Sequence, residues 1–399
     1  MTAASSPGTH EAAPHALISG GGIAGLANAI ALGRIGWRCT VVEQAPAPRE
    51  GGYMIDVFGA GWKAARELCV LQQLRAVGHA FQELRYIDAT GRTTASIPLA
   101  RVSRSLDHEF TSVLRPDIEQ VLLRGLPAGT EVRYGTTVTS IEQHDDAAVA
   151  ELSDGSESRA DLIVAADGLH SSVRRLAFGD ERQFVRSLGY QVGAFICEAP
   201  ELARKLGSSV HLTDLLDRQL GVFALNPDTR GAHPDRVSGF VLRRDTEALP
   251  DDPAAAIRDE LQHHGPIGEA LRGLVGSNVY FDTVAQAFVP RWQSARVVLA
   301  GDAAHAVSLI AGQGAAMAMA GALQLADAVD RHGAVGGAAE YERVWRPVVE
   351  GVQRSGRRGA SAFVPSTRVA QAARRGVARL ARVPGVSALV ARSIAGRTH

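Results

Sequence analysis

Ala16-Leu17-Ile18-Ser19 runs directly into Gly20-Gly21-Gly22-Ile23-Ala24-Gly25, and no other stretch of the chain restricts its fold so tightly. A short, mainly apolar segment enters a glycine turn and then the small-residue pattern Ala24 to Gly33, which predicts strand, tight turn and helix. The spacing is G-x-G-x-x-G in its informative position, after a strand and before a helix. Gly20 permits the turn. Gly22 lets backbone N–H groups, with Ile23 and Ala24 behind it, approach a pyrophosphate that a Cβ would hold away, and Gly25 lets helix and strand pack closely. Arg38 to Glu43 supplies the next strand, so the opening is a βαβ unit with a parallel sheet. Glu43 ends that strand where a carboxylate can accept hydrogen bonds from an adenosine ribose, with Gln44 beside it. The motif implies a dinucleotide and leaves NAD and FAD open, because both carry the same ADP half.

A second constellation separates them. Gly301-Asp302-Ala303-Ala304-His305 follows the fully apolar strand Arg296 to Ala300, and Gly312-Gln313-Gly314-Ala315 then opens another helix, Ala315 to Arg331. Asp302 at a strand end can accept hydrogen bonds from a polyol such as the ribityl chain, which FAD has and NAD lacks. Bare N–H groups and the positive end of a helix suit the flavin edge that becomes anionic on reduction. A third stretch, Asp161 to Arg175, carries Asp167-Gly168; alone it reads equally well as a strand, a turn and a helix cap.

With 399 residues the chain exceeds one core, and 46% apolar against 21% charged residues places it among ordinary globular proteins. Lys plus Arg and Asp plus Glu stand at 42 each, which gives no field favouring nucleic acid or an anionic membrane. Cys39, Cys69 and Cys197 are too few and too scattered for a disulfide framework or a metal site. Without a leader pattern or a long apolar run, the expectation is a cytoplasmic protein with no membrane insertion. The fold class expected is α/β, α+β overall: a Rossmann-like FAD-binding domain, a mostly antiparallel substrate domain and C-terminal helices. Along the chain this divides into a tail at 1–14, the FAD domain at 15–80, 106–182 and 286–350, a substrate-domain hairpin at 81–105, the substrate domain at 183–285, and basic helices at 351–399. Gly61 to Gln73 reads as one amphipathic helix and Val132 to Ile141 as one strand. No acidic residue follows Gly351, and the arginines of that tail read as solvated faces of helices packed on the FAD domain.

The three motifs, in this order and spacing over Leu17 to Val329, resemble those of the single-component flavin-dependent aromatic hydroxylases, the FAD monooxygenases that include p-hydroxybenzoate hydroxylase and the tetracycline-inactivating enzymes. The resemblance implies that Glu43 binds the adenosine ribose, Arg115 approaches the phosphate and ribityl region, Asp302 binds the ribityl hydroxyls, and Gly312 to Ala315 lie under the flavin ring. It places Asp56 near the flavin face and Arg49 at a position where relatives meet NADPH. Leu309 stands where the family usually has proline, which restores an N–H and frees φ. The implied reaction is NADPH- or NADH-driven hydroxylation of an aromatic, phenolic or polyketide-like molecule by O2 through a flavin C4a-hydroperoxide. A flavin oxidase and a non-oxygenating FAD-binding accessory protein remain open. Tyr190, His211, Phe223 and Phe240 are the substrate candidates from the second domain. No catalytic side chain is assigned, no metal is expected, and a monomer or homodimer is expected.

Overall fold

The computed structural model describes residues 13–48, 51–105, 108–225, 235–308 and 312–381. Its first sheet has six strands in the order Gln293–Ser294, Val297–Leu299, Leu162–Ala165, His15–Ser19, Arg38–Glu43 and Glu131–Tyr134. All neighbouring pairs are parallel except the one at the Gln293–Ser294 edge. The three central strands are buried along their whole length, so both faces of the sheet are covered, and their unbroken Val, Leu, Ile and Ala runs follow from that. Chain order reverses at His15–Ser19, which has the Arg38 strand on one side and the Leu162 strand on the other. A crevice at the carboxyl ends of the strands opens at such a switch point. The helix Ile23–Arg34 packs there against the long helix Gly314–Phe363, which turns a corner at Gly333 (φ 69°).

The second sheet has seven strands: Tyr280–Ala287, Val185–Glu198, Arg236–Arg244, Arg218–Ala224, Ser209–Thr213, Glu83–Ile87 and Thr93–Pro98. It is antiparallel apart from the parallel pair Ser209–Thr213 and Glu83–Ile87. Alternation divides its side chains. Phe195, Cys197, Val222 and Val237 pack with Ile257 and Leu261 of the helix Pro253–Leu261. Val210, Phe223 and Ile196 face the opposite way, toward Met54 and Leu114 of a two-stranded ribbon, Met54–Phe58 with Phe110–Leu114.

Three expectations change. The segment expected to be one helix from Gly61 is two, Gly59–Glu67 and Leu71–Ala76, because Cys69 takes φ 56° between them. The expected strand Val132 to Ile141 splits into Glu131–Tyr134 and Val138–Gln143 around Gly135 (φ 68°), and the halves join different sheets. The C-terminal arginines are only in part a solvated face: Arg354, Arg357, Arg358 and Arg379 are exposed. The helix Arg368–Leu380 lies on the edge of the second, and Arg374 and Arg375 turn inward to the fully buried Asp214. Among the described residues no helix is long and apolar enough to cross a membrane, and no cluster of His, Cys, Asp or Glu could hold a metal ion.

Candidate cofactor site

The three motifs touch through their glycines. A Cβ on Gly20 (φ 108°) would lie 2.4 Å from the Ala166 carbonyl oxygen and 2.9 Å from Asp167 Cα. One on Gly25 would lie 1.8 Å from the Gly20 carbonyl oxygen, and one on Gly301 (φ 58°) would lie 2.6 Å from Ala24 Cβ. No side chain fits at these positions. Gly22 differs: its Cβ would meet Glu119 Oε1 at 3.4 Å and Arg115 Nη2 at 3.6 Å, distances the protein alone tolerates. What that bare position keeps open is space toward Arg115. Leu26 N–H makes the first helical bond, to Gly22 O at 3.0 Å, so the N–H groups of Ile23, Ala24 and Gly25 precede the helical ladder.

These groups line a cavity of about 270 Å³ that runs from Glu43 and Gln44 past Arg115 and Asp167 to Asp302. Glu43 accepts the Gly21 N–H on Oε2 at 2.7 Å and the Ala45 N–H on Oε1 at 2.9 Å, which orients the carboxylate and leaves lone pairs on both oxygens. Arg115 begins the helix Arg115–Arg124 and pairs with Glu119 Oε1 at 2.9 Å. Asp302 opens onto the cavity yet is ringed by protein. That enclosure raises its carboxyl above the ordinary range, Arg115 offsets part of the rise, and Asp282 adds to it. Among the described residues no hydrogen bond ends on Asp302. A Cβ on Gly314 would lie 4.0 Å from Asp302 Oδ1, so the start of the Gly314–Phe363 helix stands beside that carboxylate. Gly312 takes φ 64°, and Met317 N–H donates to Gln313 O at 2.9 Å, leaving the N–H groups of Gly314 and Ala315 ahead of the ladder.

Asp167 does a second job that its motif allowed. Its carboxylate accepts from Ser171 Oγ, from Ser172 Oγ at 3.0 Å and from Val173 N–H at 3.1 Å, so it caps the helix Ser172–Phe178 while lining the cavity. Asp56 lies outside the lining, on the ribbon. There Ser112 Oγ donates to it at 2.5 Å, and burial raises its carboxyl despite that bond. Arg49 and Leu309 lie outside the described residues.

Sequence reasoning overlooked several neighbours. Arg174 is fully buried and donates to Ala303 O at 2.9 Å, Leu169 O at 2.6 Å and Glu181 Oε2 at 3.1 Å, which ties the Asp167 turn to the Gly301-Asp302 turn. Its place within the third motif was the available signal. His170 meets Glu181 Oε1 at 2.9 Å and Asp282 Oδ1 at 3.3 Å; the Asp282 and Glu181 bonds outweigh desolvation and push it up to about 9. Tyr53 and Tyr280 complete the wall, their rings 5.5 Å apart, and burial pushes Tyr53 up to about 12. His170 shared that signal, whereas no local pattern marks Tyr280.

The four substrate candidates do not gather. Phe223 meets Phe81 edge-on at 5.4 Å on the sheet face turned toward the ribbon. Phe240 shares that face and stacks on Phe363 at 6.4 Å, its ring covering Gly221, where a Cβ would lie 2.1 Å from Phe240 Cε1. Tyr190 is buried among Val192, Leu242 and Val364 and accepts from Arg244. His211 sits opposite Val222, on the face turned away from the ribbon. His305 is structural: buried against Trp292 at 4.9 Å, it is pulled down to about 4 by desolvation.

The residues fit FAD: a turn closed to side chains, a carboxylate at the end of the second strand with lone pairs to spare, and a second carboxylate that makes no hydrogen bond among the described residues and stands beside a helix start. A sequence profile described as the FAD binding domain matches residues 14–352. A flavin-dependent monooxygenase from an unknown prokaryotic organism is 28% identical over 352 residues, which cover 85% of this chain and 88% of the relative. Tetracycline destructase Tet(55) superposes with a TM-score of 0.78 at 25% identity over 96% of this chain and 97% of its own. HpxO of Klebsiella pneumoniae, solved with FAD and uric acid, gives 0.79 at 22% identity over 97% and 98%. Profile, relative and architecture agree with the site's geometry, and the chain belongs to the FAD binding domain family of flavin-dependent monooxygenases.

Proposed function

We propose that the protein is an NAD(P)H-driven monooxygenase that places one oxygen atom from O2 on an aromatic, phenolic or polyketide-like small molecule, as a cytoplasmic enzyme. The observation that carries the reading is Asp302, a carboxylate projecting without a hydrogen-bond partner among the described residues into a cavity whose other end is a side-chain-free dinucleotide turn. Open to solvent within the cavity, that carboxylate keeps its lone pairs free for the hydroxyls of a ligand.

Bound FAD supplies the redox chemistry, accepting a hydride and activating O2. The chain's own residues bind and orient it. In this reading Gly20, Gly22, Ile23, Ala24 and Gly25 hold the pyrophosphate, and Glu43 with Gln44 holds the adenosine ribose. Arg115 neutralises phosphate, Asp302 takes the ribityl hydroxyls, Asp167 shapes the turn beside them, and Gly312 to Ala315 face the flavin ring with their N–H groups. Asp56 and Arg49 are assigned to the flavin face and the hydride donor on family resemblance. The stretches 15–80, 106–182 and 286–350 form the cofactor half. The stretches 81–105 and 183–285 form the substrate half, whose ribbon-facing surface, with Ile196, Phe223 and Phe240, excludes water from the reacting ring.

The test is to titrate the purified protein with FAD and screen phenols and polyketide-like compounds for stimulated NADPH or NADH oxidation under ¹⁸O₂. The expected result is a yellow, thermally stabilised protein and a product heavier by one labelled oxygen. Oxidation with H2O2 and no labelled product points to an oxidase, FAD binding without turnover to an accessory protein, and failure to bind FAD removes the reading.

A further inference from the structure

The helix Arg368–Leu380 is inverted relative to an ordinary surface helix. Its polar side chains point inward: Gln371 Nε2 donates to Asp214 O at 2.7 Å, Arg374 Nη1 donates to Phe363 O at 2.6 Å, and Arg374 and Arg375 pair with the Asp214 carboxylate. Its apolar side chains point out. Val369 is 80% exposed, Val377 54% and Leu380 56%, and Val369 is the most exposed large apolar side chain among the described residues. Ala372 and Ala373 are exposed between them, and a Cβ on Gly376 would meet nothing within 4 Å. Val369, Ala373, Gly376, Val377 and Leu380 follow the helical repeat, so they form one stripe on the side opposite Gln371, Arg374 and the buried Ala378.

The contacts with Asp214 fix that orientation, because rolling the helix to bury the stripe would break them and strand the carboxylate without its cations. Charge beside the stripe has one sign. Arg368 is exposed and makes no hydrogen bond or ion pair among the described residues; Arg379, exposed on the same margin, donates to Thr94 O at 3.0 Å. From Gly351 onward there are ten arginines and no acid, so the balance of 42 against 42 leaves the first 350 residues with ten more acids than bases. A neutral total conceals that division. An apolar stripe with arginines along its margin suits a helix lying in the plane of a bilayer surface, where alkyl side chains enter the acyl boundary and guanidinium groups stay with the lipid phosphates. A second copy fits less well. The helix is about 20 Å long, so the stripe is too short to bury the ~1,200 Å² of a stable interface, and stripe-to-stripe contact would set arginine beside arginine.

We infer that the outward face of Arg368–Leu380 docks the protein on an anionic phospholipid surface, with Val369, Val377 and Leu380 in the acyl boundary and Arg368 and Arg379 on headgroup phosphates. The helix lies on the bilayer and does not cross it; no helix among the described residues is long and apolar enough to do so. The same surface repels the acidic excess of the first 350 residues, which turns this helix toward it. The inference is independent of the flavin reading, since no residue of the helix lines the cofactor cavity.

Co-sedimentation of the full-length protein with vesicles tests this, comparing equal parts of phosphatidylglycerol and phosphatidylcholine with phosphatidylcholine alone. The expected result is binding about tenfold tighter to the anionic vesicles, falling as salt is raised because exposed charges are screened. Val369→Ser combined with Leu380→Ser is expected to weaken that binding about tenfold and leave the melting temperature unchanged, since both side chains are exposed in the folded protein. Arg368→Glu should weaken it about threefold, and Gly376→Leu, for which there is room, should tighten it about threefold. The inference is overturned if wild-type protein ignores the anionic vesicles, if it binds both kinds alike, or if the double variant binds as well as wild type, which would leave only attraction by arginines. A dimer in sedimentation velocity that the double variant dissolves also overturns it and assigns the stripe to a second copy. Should the double variant melt early, Gly376→Leu decides, and binding there that is no tighter than wild type overturns the inference.

Discussion

Gly25 and Asp302 fail in opposite ways when replaced. At Gly25 the obstacle is space: the Gly20 carbonyl oxygen stands 1.8 Å from where a Cβ would be, so Gly25→Ala must push the helix off the turn that presents its N–H groups. Overpacking of this kind costs about 1–3 kcal/mol or more. The expected outcome is a lower melting temperature without ligand and an FAD affinity reduced at least about 100-fold, read by thermal denaturation and flavin-fluorescence titration. Asp302 gives up no hydrogen bond among the described residues when it is removed. Its carboxyl is raised from the ordinary range, so the fold disfavours the charged form; the loss of stability builds as pH rises above the ordinary carboxyl value and is small, because the residue is open to solvent. Asp302→Ala is therefore expected to leave the FAD-free protein as stable as wild type or more so. It should weaken FAD binding about 10- to 100-fold, since a charge-assisted hydrogen bond is worth roughly 1.5–3 kcal/mol. A fall in both quantities would show that Asp302 serves the fold. The first motif was legible because a glycine's role is set by atoms a few residues away; the dependence of Gly301 on Ala24 was not, since the two lie far apart in the chain.

At the level of elements, the turn after Leu162–Ala165 is joined to the second sheet by one ionisable clasp. His170 bridges Glu181, which also holds Arg174, and Asp282, on the edge strand Tyr280–Ala287 of the second. Its folded-state value of about 9 lies above the ordinary imidazole value of 6.5, so protonated His170 favours the folded state. That stability is fully present below about pH 6.5 and is lost as pH rises through about 9. Solvent screening keeps it modest, because the side chain is 55% exposed. Urea unfolding of wild type and His170→Gln across pH 6 to 10 should show wild type more stable at the acid end and the difference gone at the alkaline end. A difference that does not vary with pH would remove the charge from the account. Sequence showed the Asp167-Gly168 turn and the helix after it. That a carboxylate 112 positions from His170 completes the clasp is a property of sheet order, which periodicity does not carry.

For the whole molecule, the C-terminal helix Arg368–Leu380 acts as a strap across the edge of the second sheet. Asp214 is its anchor, with Arg374 Nη2 donating at 2.6 Å, Arg375 beside it and Thr94 Oγ1 at 2.9 Å. Burial alone would raise the Asp214 carboxyl; Arg374, Arg375 and Thr94 more than reverse this and hold it below the usual carboxylate range. Arg374 also lies over the Tyr86 ring at 4.8 Å. Removing one side of a buried ion pair costs about 3–5 kcal/mol, because the cations left behind lose their partner. Asp214→Asn should thus lower the melting temperature and raise hydrogen exchange across residues 368–380 ahead of the rest of the chain. Exchange that rises uniformly would mean that the strap unfolds only with the whole. The acid-free arginine run suggested a solvated surface because composition records charge without its partner; Asp214 lies about 160 positions away in the chain.

By itself the sequence determined the dinucleotide turn, the flavin rather than nicotinamide character of the bound cofactor, and the α/β class. Each depends on backbone freedom, N–H exposure and side-chain alternation over a few neighbouring residues, and those forces are short in range. Tertiary structure alone decided that Tyr53 and Tyr280 wall the cofactor cavity, that His211 and Phe223 sit on opposite faces of one sheet, and that Arg374 and Arg375 turn inward. These outcomes depend on which strands pair and which layers meet. That choice is made by the burial of the whole core, and no local stretch of the chain contains it.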